Sequence, residues 1–344
     1  MEENILPDAP SPSVCSHCQI SSIDTRYSSP LCEECRQKFI RYPIPKWIKL
    51  FGAGVALVFC LALIKLPTQL STGVHLEKGK NAIKDRRFNT AHKELKLALN
   101  NIPNSKEAQG YLMISSFHNL DFGEFKNMFN KLKDQTFEDN QLLDQINGVA
   151  EKMMDYFPSD TLQELINEYD GTFDSVPTTK LEEYTNGHPQ DVFAQYNLAD
   201  RYYIKDNYQK ADTVLTHILQ LKADYLPALR IMCGIKRYEG DAEASIKYCN
   251  QIIDMNRENV FALSNKARSL LKLHKDKEAL ELARTTQEID NNDGYALATL
   301  CLAYHFNGKQ TERDALIERS RNDSTKAFFF EYALDVITKK ESFR

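Results

Sequence analysis

The chain reads as an all-α protein: an α-solenoid of stacked helical hairpins, preceded by a small cysteine module and a single transmembrane helix. Three observations predict this. Apolar residues recur at helical spacing from about Ser71 onward, the same region repeats every 34 residues, and 13 glycines and 12 prolines are too few for a loop-rich β protein. At 344 residues, with 42% hydrophobic and 26% charged side chains, the chain is long enough for two or three folded units.

Residues 1–13, MEENILPDAPSPS, carry three prolines and little apolar surface, which predicts a disordered tail. Residues 14–42 hold Cys15-Ser-His-Cys18 and Cys32-Glu-Glu-Cys35. Each C-x-x-C presents two thiolates from one tight turn, and two such turns complete a tetrahedral sulfur site suited to Zn²⁺. The pattern looks like a zinc ribbon or knuckle, with Cys15, Cys18, Cys32 and Cys35 as ligands. So small a unit buries too little apolar surface to fold without its metal, so the zinc is expected to be structural. Four cysteines would close the coordination shell, and His17 is expected to be a solvent-facing neighbour rather than a ligand. A redox dithiol or a pair of disulfides is the rival reading, although redox C-x-x-C motifs usually sit in a βαβ setting absent here. Residues 1–35 hold six acids and only Arg26 as a base, which argues against nucleic acid as partner.

A break at 43–46, Pro-Ile-Pro-Lys, precedes WIKLFGAGVALVFCLALIKL at 47–66. Its uncharged run from Leu50 to Ile64 is flanked by Lys49 and Lys65, and 20 residues reach about 30 Å, so a single membrane span is expected. Five cations (Arg36, Lys38, Arg41, Lys46 and Lys49) precede or enter the span and only Lys65, Lys78 and Lys80 follow closely. The positive-inside rule then places the N-terminus in the cytoplasm and the repeats outside it. Thiolates ready for zinc also belong in a reducing compartment.

Aligned at 34 residues, the segments 192–225, 226–259, 260–293 and 294–327 stack without gaps. Leu198-Ala199, Met232-Cys233, Lys266-Ala267 and Leu300-Cys301 fall in register, followed by Tyr202, Lys236, Leu270 and Tyr304, then Ala211, Ser245, Ala279 and Arg313. Segment 72–105 shows Gly79, Ala82, Ala91, Leu95, Ala98 and Pro103 in matching columns, and 106–139 follows in phase. Small residues in these columns let the two helices of a hairpin approach closely. Cys233, Cys249 and Cys301 are expected to be small core residues. Over 140–191 the register is poor, and 328–344 is expected to form a C-terminal capping helix.

These columns resemble the tetratricopeptide repeat (TPR) family, whose W-x₂-L-G-x₂-Y…A-x₃-F…P pattern has the same length. Gly79, Ala91, Leu95, Ala98 and Pro103 match it in one repeat, and Leu198, Ala199, Tyr202, Ala211 and Leu215 in another; the tryptophan is missing and Arg313 departs from the small-residue column. The resemblance implies a concave surface built from the first helix of each hairpin, facing which would be Tyr196, Tyr203, Arg230, Arg237, Tyr238, Arg268, Lys272 and His305. Such a basic, aromatic groove suits a peptide or helix carrying acidic groups. Tyr196 and Asp200 occupy the places where some relatives hold a C-terminal carboxylate, so that particular ligand is not expected.

Charge is unevenly distributed: 36–133 holds 17 basic and 6 acidic residues, and 134–191 holds 2 basic and 14 acidic ones. The basic stretch 78–106 is expected to be an exposed helix face, and the acidic segment to pair with it or with a basic partner. No phosphate loop, dinucleotide fingerprint, zinc-protease motif or nucleophile elbow is present, and no enzyme is expected. The expectation is a membrane-anchored scaffold binding other proteins; the alternative is a zinc- or redox-responsive membrane-tethered regulatory sensor.

Overall fold

The computed structural model describes residues 13–40, 44–321 and 323–343, apart from the side chains of 62–68, 321, 324 and 327. The tail expected over 1–13 lies, except for Ser13, outside the described residues, as do Arg41 and Tyr42. The chain divides into two units, Met1–Pro67 and Thr68–Arg344.

In the first unit the backbone turns tightly around Cys15, whose N–H donates to the Ser21 carbonyl at 2.9 Å while its own carbonyl accepts from Gln19 at 2.9 Å. Gln19 takes a left-handed conformation, φ 57°, to make that turn. The second cysteine pair is built differently: Cys32 immediately precedes helix α1 (Glu33–Ile40) and Cys35 lies in its first turn. The ribbon expectation is corrected here. Among the described residues there is no strand, only an isolated bridge between Val14 and Ser22, and the module is one turn joined to one short helix.

Helix α2 (Lys46–Lys84) carries the apolar sequence expected to span a membrane. Within the first unit Trp47, Leu50, Phe51, Val55, Leu57, Val58, Phe59 and Leu61 are all exposed. Among the described residues no helix is long and apolar enough to cross a membrane. The expected span over 47–66 is corrected accordingly. The side chains of residues 62–66 of that stretch lie outside the described residues.

The second unit is an array of helical hairpins. After the end of α2 come α3 (Phe88–Asn101), α4 (Lys106–His118) and α5 (Phe122–Leu132), then α6 (Asn140–Met153), α7 (Asp160–Asn167) and α8 (Thr178–Gly187). The regular repeats follow as α9 (Val192–Ile204), α10 (Tyr208–Leu221), α11 (Leu226–Tyr238), α12 (Ala242–Met255), α13 (Val260–Lys272), α14 (Asp276–Ile289), α15 (Gly294–Phe306) and α16 (Gln310–Arg321), with α17 (Ser324–Ile337) last. Ala91, Ala98, Ala199, Ala211, Ala267 and Ala279 are fully buried where the paired helices meet. A Cβ on Gly79 would lie 2.7 Å from Leu95 Cγ, closer than side chains pack, so the first hairpin requires glycine there.

The turns between paired helices carry a second periodicity. Arg86 and Leu120, and again Asp206, Gly240, His274 and Gly308, adopt positive φ at 34-residue spacing. From Leu120 to Asp206 the interval is 86 residues, 18 more than two periods. The extra residues explain the poor register over 140–191, where α7 and two short 3-10 turns, Met154–Tyr156 and Phe173–Ser175, interrupt the pairing. One cysteine expectation changes: Cys233 and Cys249 are joined in a disulfide between α11 and α12, Cα–Cα 5.9 Å, rather than packing as separate thiols. Cys301 is buried and burial pushes its thiol up to about 12, as an inert core residue requires.

The array also closes on itself. Glu258, in the α12–α13 turn, is 8% exposed and accepts at 2.7 Å from both the Thr90 N–H and the Thr90 hydroxyl at the start of α3. Arg87, the residue before that helix, offers no side-chain cap, so a carboxylate from 168 residues away takes its place. Asn89 Nδ2 donates to the Glu258 carbonyl at 2.8 Å, the Arg257 N–H to the Arg86 carbonyl at 2.9 Å, and Asn256 Nδ2 to Asn119 Oδ1 at 3.1 Å. Tyr156 adds apolar contact between the two halves, its ring 5.7 Å from Phe117 and 5.2 Å from Tyr225. The basic stretch finds its acids locally, in Lys80–Glu107 at 2.8 Å and Lys96–Glu124 at 2.9 Å, rather than in 134–191.

Glu258→Ala is expected to cost about 1–3 kcal/mol, because it strips a half-buried helix start of its acceptor. Hydrogen exchange should quicken at Thr90 and its neighbours first; unchanged protection there would show the closure to be incidental.

Candidate functional site

A cavity of about 1200 Å³ in the second unit is lined by the first helices of the regular repeats and by α17. Of the eight groove residues expected from sequence, Tyr196, Tyr203, Arg230, Arg237, Tyr238, Arg268 and Lys272 line it. His305 does not. It lines a separate, smaller cavity beside Lys339, Lys340 and Phe343, with its Nδ1 3.2 Å from an Arg313 nitrogen.

An aromatic ladder escaped the sequence reading. The second position of each repeat holds Phe193, Pro227, Phe261 and Tyr295, and Phe329 on α17 continues the series at the same 34-residue interval; all five line the cavity. Phe261 stacks on Tyr295 with centroids 5.8 Å apart, and Tyr295 meets Phe329 edge-on at 6.4 Å. The arginines lie on this ladder: the Arg230 guanidinium is 4.2 Å from the Phe261 centroid and that of Arg268 is 4.0 Å from Tyr295. The recurrence of an aromatic or proline at that one column was the signal available in the sequence.

The electrostatics are those of cations held in a low-polarity wall. Burial lowers Arg268, Arg230 and Lys272 from their ordinary values, and Arg237 lowers Lys272 further. Burial raises Tyr295, but the charges of Arg268 and Arg237 outweigh it and hold its phenol below the ordinary range. Asn265 Oδ1 accepts from both Arg237 and the Tyr295 hydroxyl, and Arg268 Nε donates to Thr299 Oγ1 at 2.8 Å. Such fixed donors and stacked rings are suited to holding an extended ligand.

The second candidate site lies in the first unit. The Sγ atoms of Cys15, Cys18, Cys32 and Cys35 lie within 4.8 Å of one another, with Cys18 and Cys32 at 3.8 Å. Four sulfurs each about 2.3 Å from a central zinc would be spaced about 3.8 Å apart, so the residues fit that ion. All four are free thiols; Cys15, Cys32 and Cys35 are buried. Backbone N–H groups, that of Cys18 foremost, hold the Cys15 thiol down at about 6, and those of Ser21 and Ile20 lower Cys18. Hydrogen bonding to Cys32, with burial, pushes Cys35 up to about 12. His17 stands outside the sulfur group with Nδ1 3.6 Å from Cys35 Sγ and its ring edge-on to Phe39, a neighbour to the cluster rather than a fifth donor. Another trio, His92, Asp121 and Glu124, is also tightly grouped, but Lys96 already sits 2.9 Å from Glu124 and Asp121 caps α5.

No family model and no curated protein sequence matches the chain. Among solved structures it is similar to the MamA protein (15% identity over 64% of this chain and 92% of that one, TM-score 0.27). It is also similar to YrrB, a TPR protein with an unusual peptide-binding site (13% identity, 48% and 88%, TM-score 0.36). A third is a putative kinesin light chain from Podospora anserina with nearly identical TPR-like repeats (15% identity, 70% and 98%, TM-score 0.33). These superpositions are too loose to carry an argument individually. The chain is an all-α helical repeat solenoid like the TPR proteins, as its own 34-residue columns, paired helices and recurrent turns require.

The cysteine cluster makes a stoichiometric prediction: purified protein releases one zinc per chain on thiol modification, and a Cys15→Ser/Cys18→Ser chain releases none. Melting of the repeat unit should be the same in both; full zinc retention by the double variant would move the site elsewhere.

Proposed function

We propose that this protein is a scaffold whose repeat unit binds an extended segment of another protein in the cavity lined by the aromatic ladder, with a structural zinc in the N-terminal module and no catalytic role. The observation that carries this reading is the convergence of Phe193, Phe261, Tyr295 and Phe329 with three arginines on one concave wall of about 1200 Å³. Rigid aromatics and guanidinium groups are the side chains that dominate protein interfaces, and here neighbouring helices hold them at a regular interval. The zinc, when bound, ties the Cys15 turn to α1 and supplies the module's folding energy.

A photocrosslinking phenylalanine in place of Tyr238, exposed at the cavity wall, should capture a partner protein in cells, whereas one in place of Phe129, exposed on α5, should not. Equal labelling from both positions would remove the cavity from the reading. If the four-cysteine variant captures the same partner with the same yield, the zinc site is structural and not a sensor.

A second reading concerns the apolar part of α2. We propose that Trp47–Leu61 associates with a lipid surface, supported by the exposure of Leu50, Phe51, Val55, Val58 and Phe59, an apolar patch too large to leave in water. The chain should float with phosphatidylcholine vesicles in a density gradient, and Val55→Asp/Val58→Asp should stay at the bottom. Sedimentation of the unaltered chain away from vesicles would refute it.

A further inference from the structure

Arg268 is the deepest cation in the cavity wall. The residue is 5% exposed, its Nε is committed to Thr299, and its Nη2 is buried without a hydrogen-bond partner. A buried guanidinium nitrogen in that condition forgoes water and gains nothing from the protein. The local acceptors are already used: Asn265 Oδ1 takes the Arg237 and Tyr295 donors, and Thr299 Oγ1, which accepts from Arg268 Nε, donates its own proton to the Tyr295 carbonyl at 2.8 Å. None of Arg230, Arg237, Arg268 and Lys272 makes an ion pair with a described residue. Glu331, Asp335 and Glu341 line the same cavity, and Asp335 is 3.5 Å from Lys340.

We infer that this part of the cavity is a carboxylate subsite: an acidic side chain of the bound peptide accepts from Arg268 Nη2, while its apolar or aromatic neighbours lie along the Phe261–Tyr295–Phe329 ladder. This deepens the scaffold reading and rests on it. The preferred ligand is a segment alternating acidic with aromatic residues. The ladder supplies flat surfaces at a fixed interval, and Arg230 and Arg268 each lie over one of its rings. A carboxylate matches this place because charge-assisted donors from a planar guanidinium are strongest towards a planar anion, and because binding removes the cost of leaving the buried charge uncompensated.

The test uses the full-length chain and two fluorescein-labelled octapeptides, one alternating Glu with Tyr and one alternating Gln with Tyr, titrated by anisotropy. The Glu peptide should bind at least about tenfold more tightly, as expected for a buried charged hydrogen bond. Arg268→Gln should bring the two affinities within about threefold of each other by losing only the Glu peptide's advantage. If Arg268→Gln melts early, Arg237→Gln serves instead and should lose part of the same advantage. Equal binding of the two peptides by the native chain overturns the carboxylate subsite and leaves the peptide-binding cavity standing. Binding of neither peptide overturns both, and tenfold discrimination that survives in a folded Arg268→Gln chain places the anion elsewhere.

Discussion

How closely two helices of a hairpin can approach governs the rest of this molecule. At Gly79 there is no room for a single methyl group beside Leu95, and Ala91, Ala199, Ala211, Ala267 and Ala279 stand at equivalent crossings with no exposed surface. Close crossing fixes the interaxial distance, and repetition of that distance every 34 residues fixes the angle between successive hairpins. The inner helices then present the same positions to the same side. An aromatic ladder and a row of arginines can therefore arise from one column of residues each, without any long-range signal in the chain.

Closure adds a constraint that the repeats alone do not supply. The Glu258 carboxylate caps α3, and the Asn256 and Arg257 contacts knit the α12–α13 turn to the first hairpins. An isolated surface ion pair contributes little, but this carboxylate is buried and meets a backbone N–H and a hydroxyl together, which places it among the stronger charged hydrogen bonds. It holds neighbours of the cavity wall in place at no cost to the wall's own polar groups. The wall can thus keep Arg268 incompletely satisfied, a condition a looser scaffold would relieve by letting the side chain swing out to water.

Much of this was legible in the sequence because repetition amplifies weak local signals. Gly79, Ala91 and Leu95 mean little singly, yet their recurrence fixed the helix pairing and brought seven of the eight expected groove residues to one cavity. His305 went astray because the segment after α17 folds back beside it, with Phe343 packed 5.2 Å from Phe306, a contact no periodicity encodes. The ladder at Phe193, Phe261, Tyr295 and Phe329 was readable too, as an aromatic recurring in one column. The cysteine spacing announced the four-sulfur cluster but not its architecture: only the first pair lies on a turn, and the second uses a helix start. Closure through Glu258 was not legible, since a glutamate in a turn gives no sign of a partner 168 residues earlier.

The 18 extra residues between Leu120 and Asp206 bear on how such a chain can change over generations. An open stack of hairpins tolerates duplication or loss of a unit, because each unit touches only its neighbours and the ends are free. Here contacts on either side of the interval, Thr90 with Glu258 and Asn119 with Asn256, tie the array across it, so a hairpin gained or lost between them would carry Glu258 away from Thr90. The number of hairpins between α3 and α12 is thereby locked, and variation there is channelled into substitutions along the cavity columns, which can alter what is bound without altering the length of that stretch.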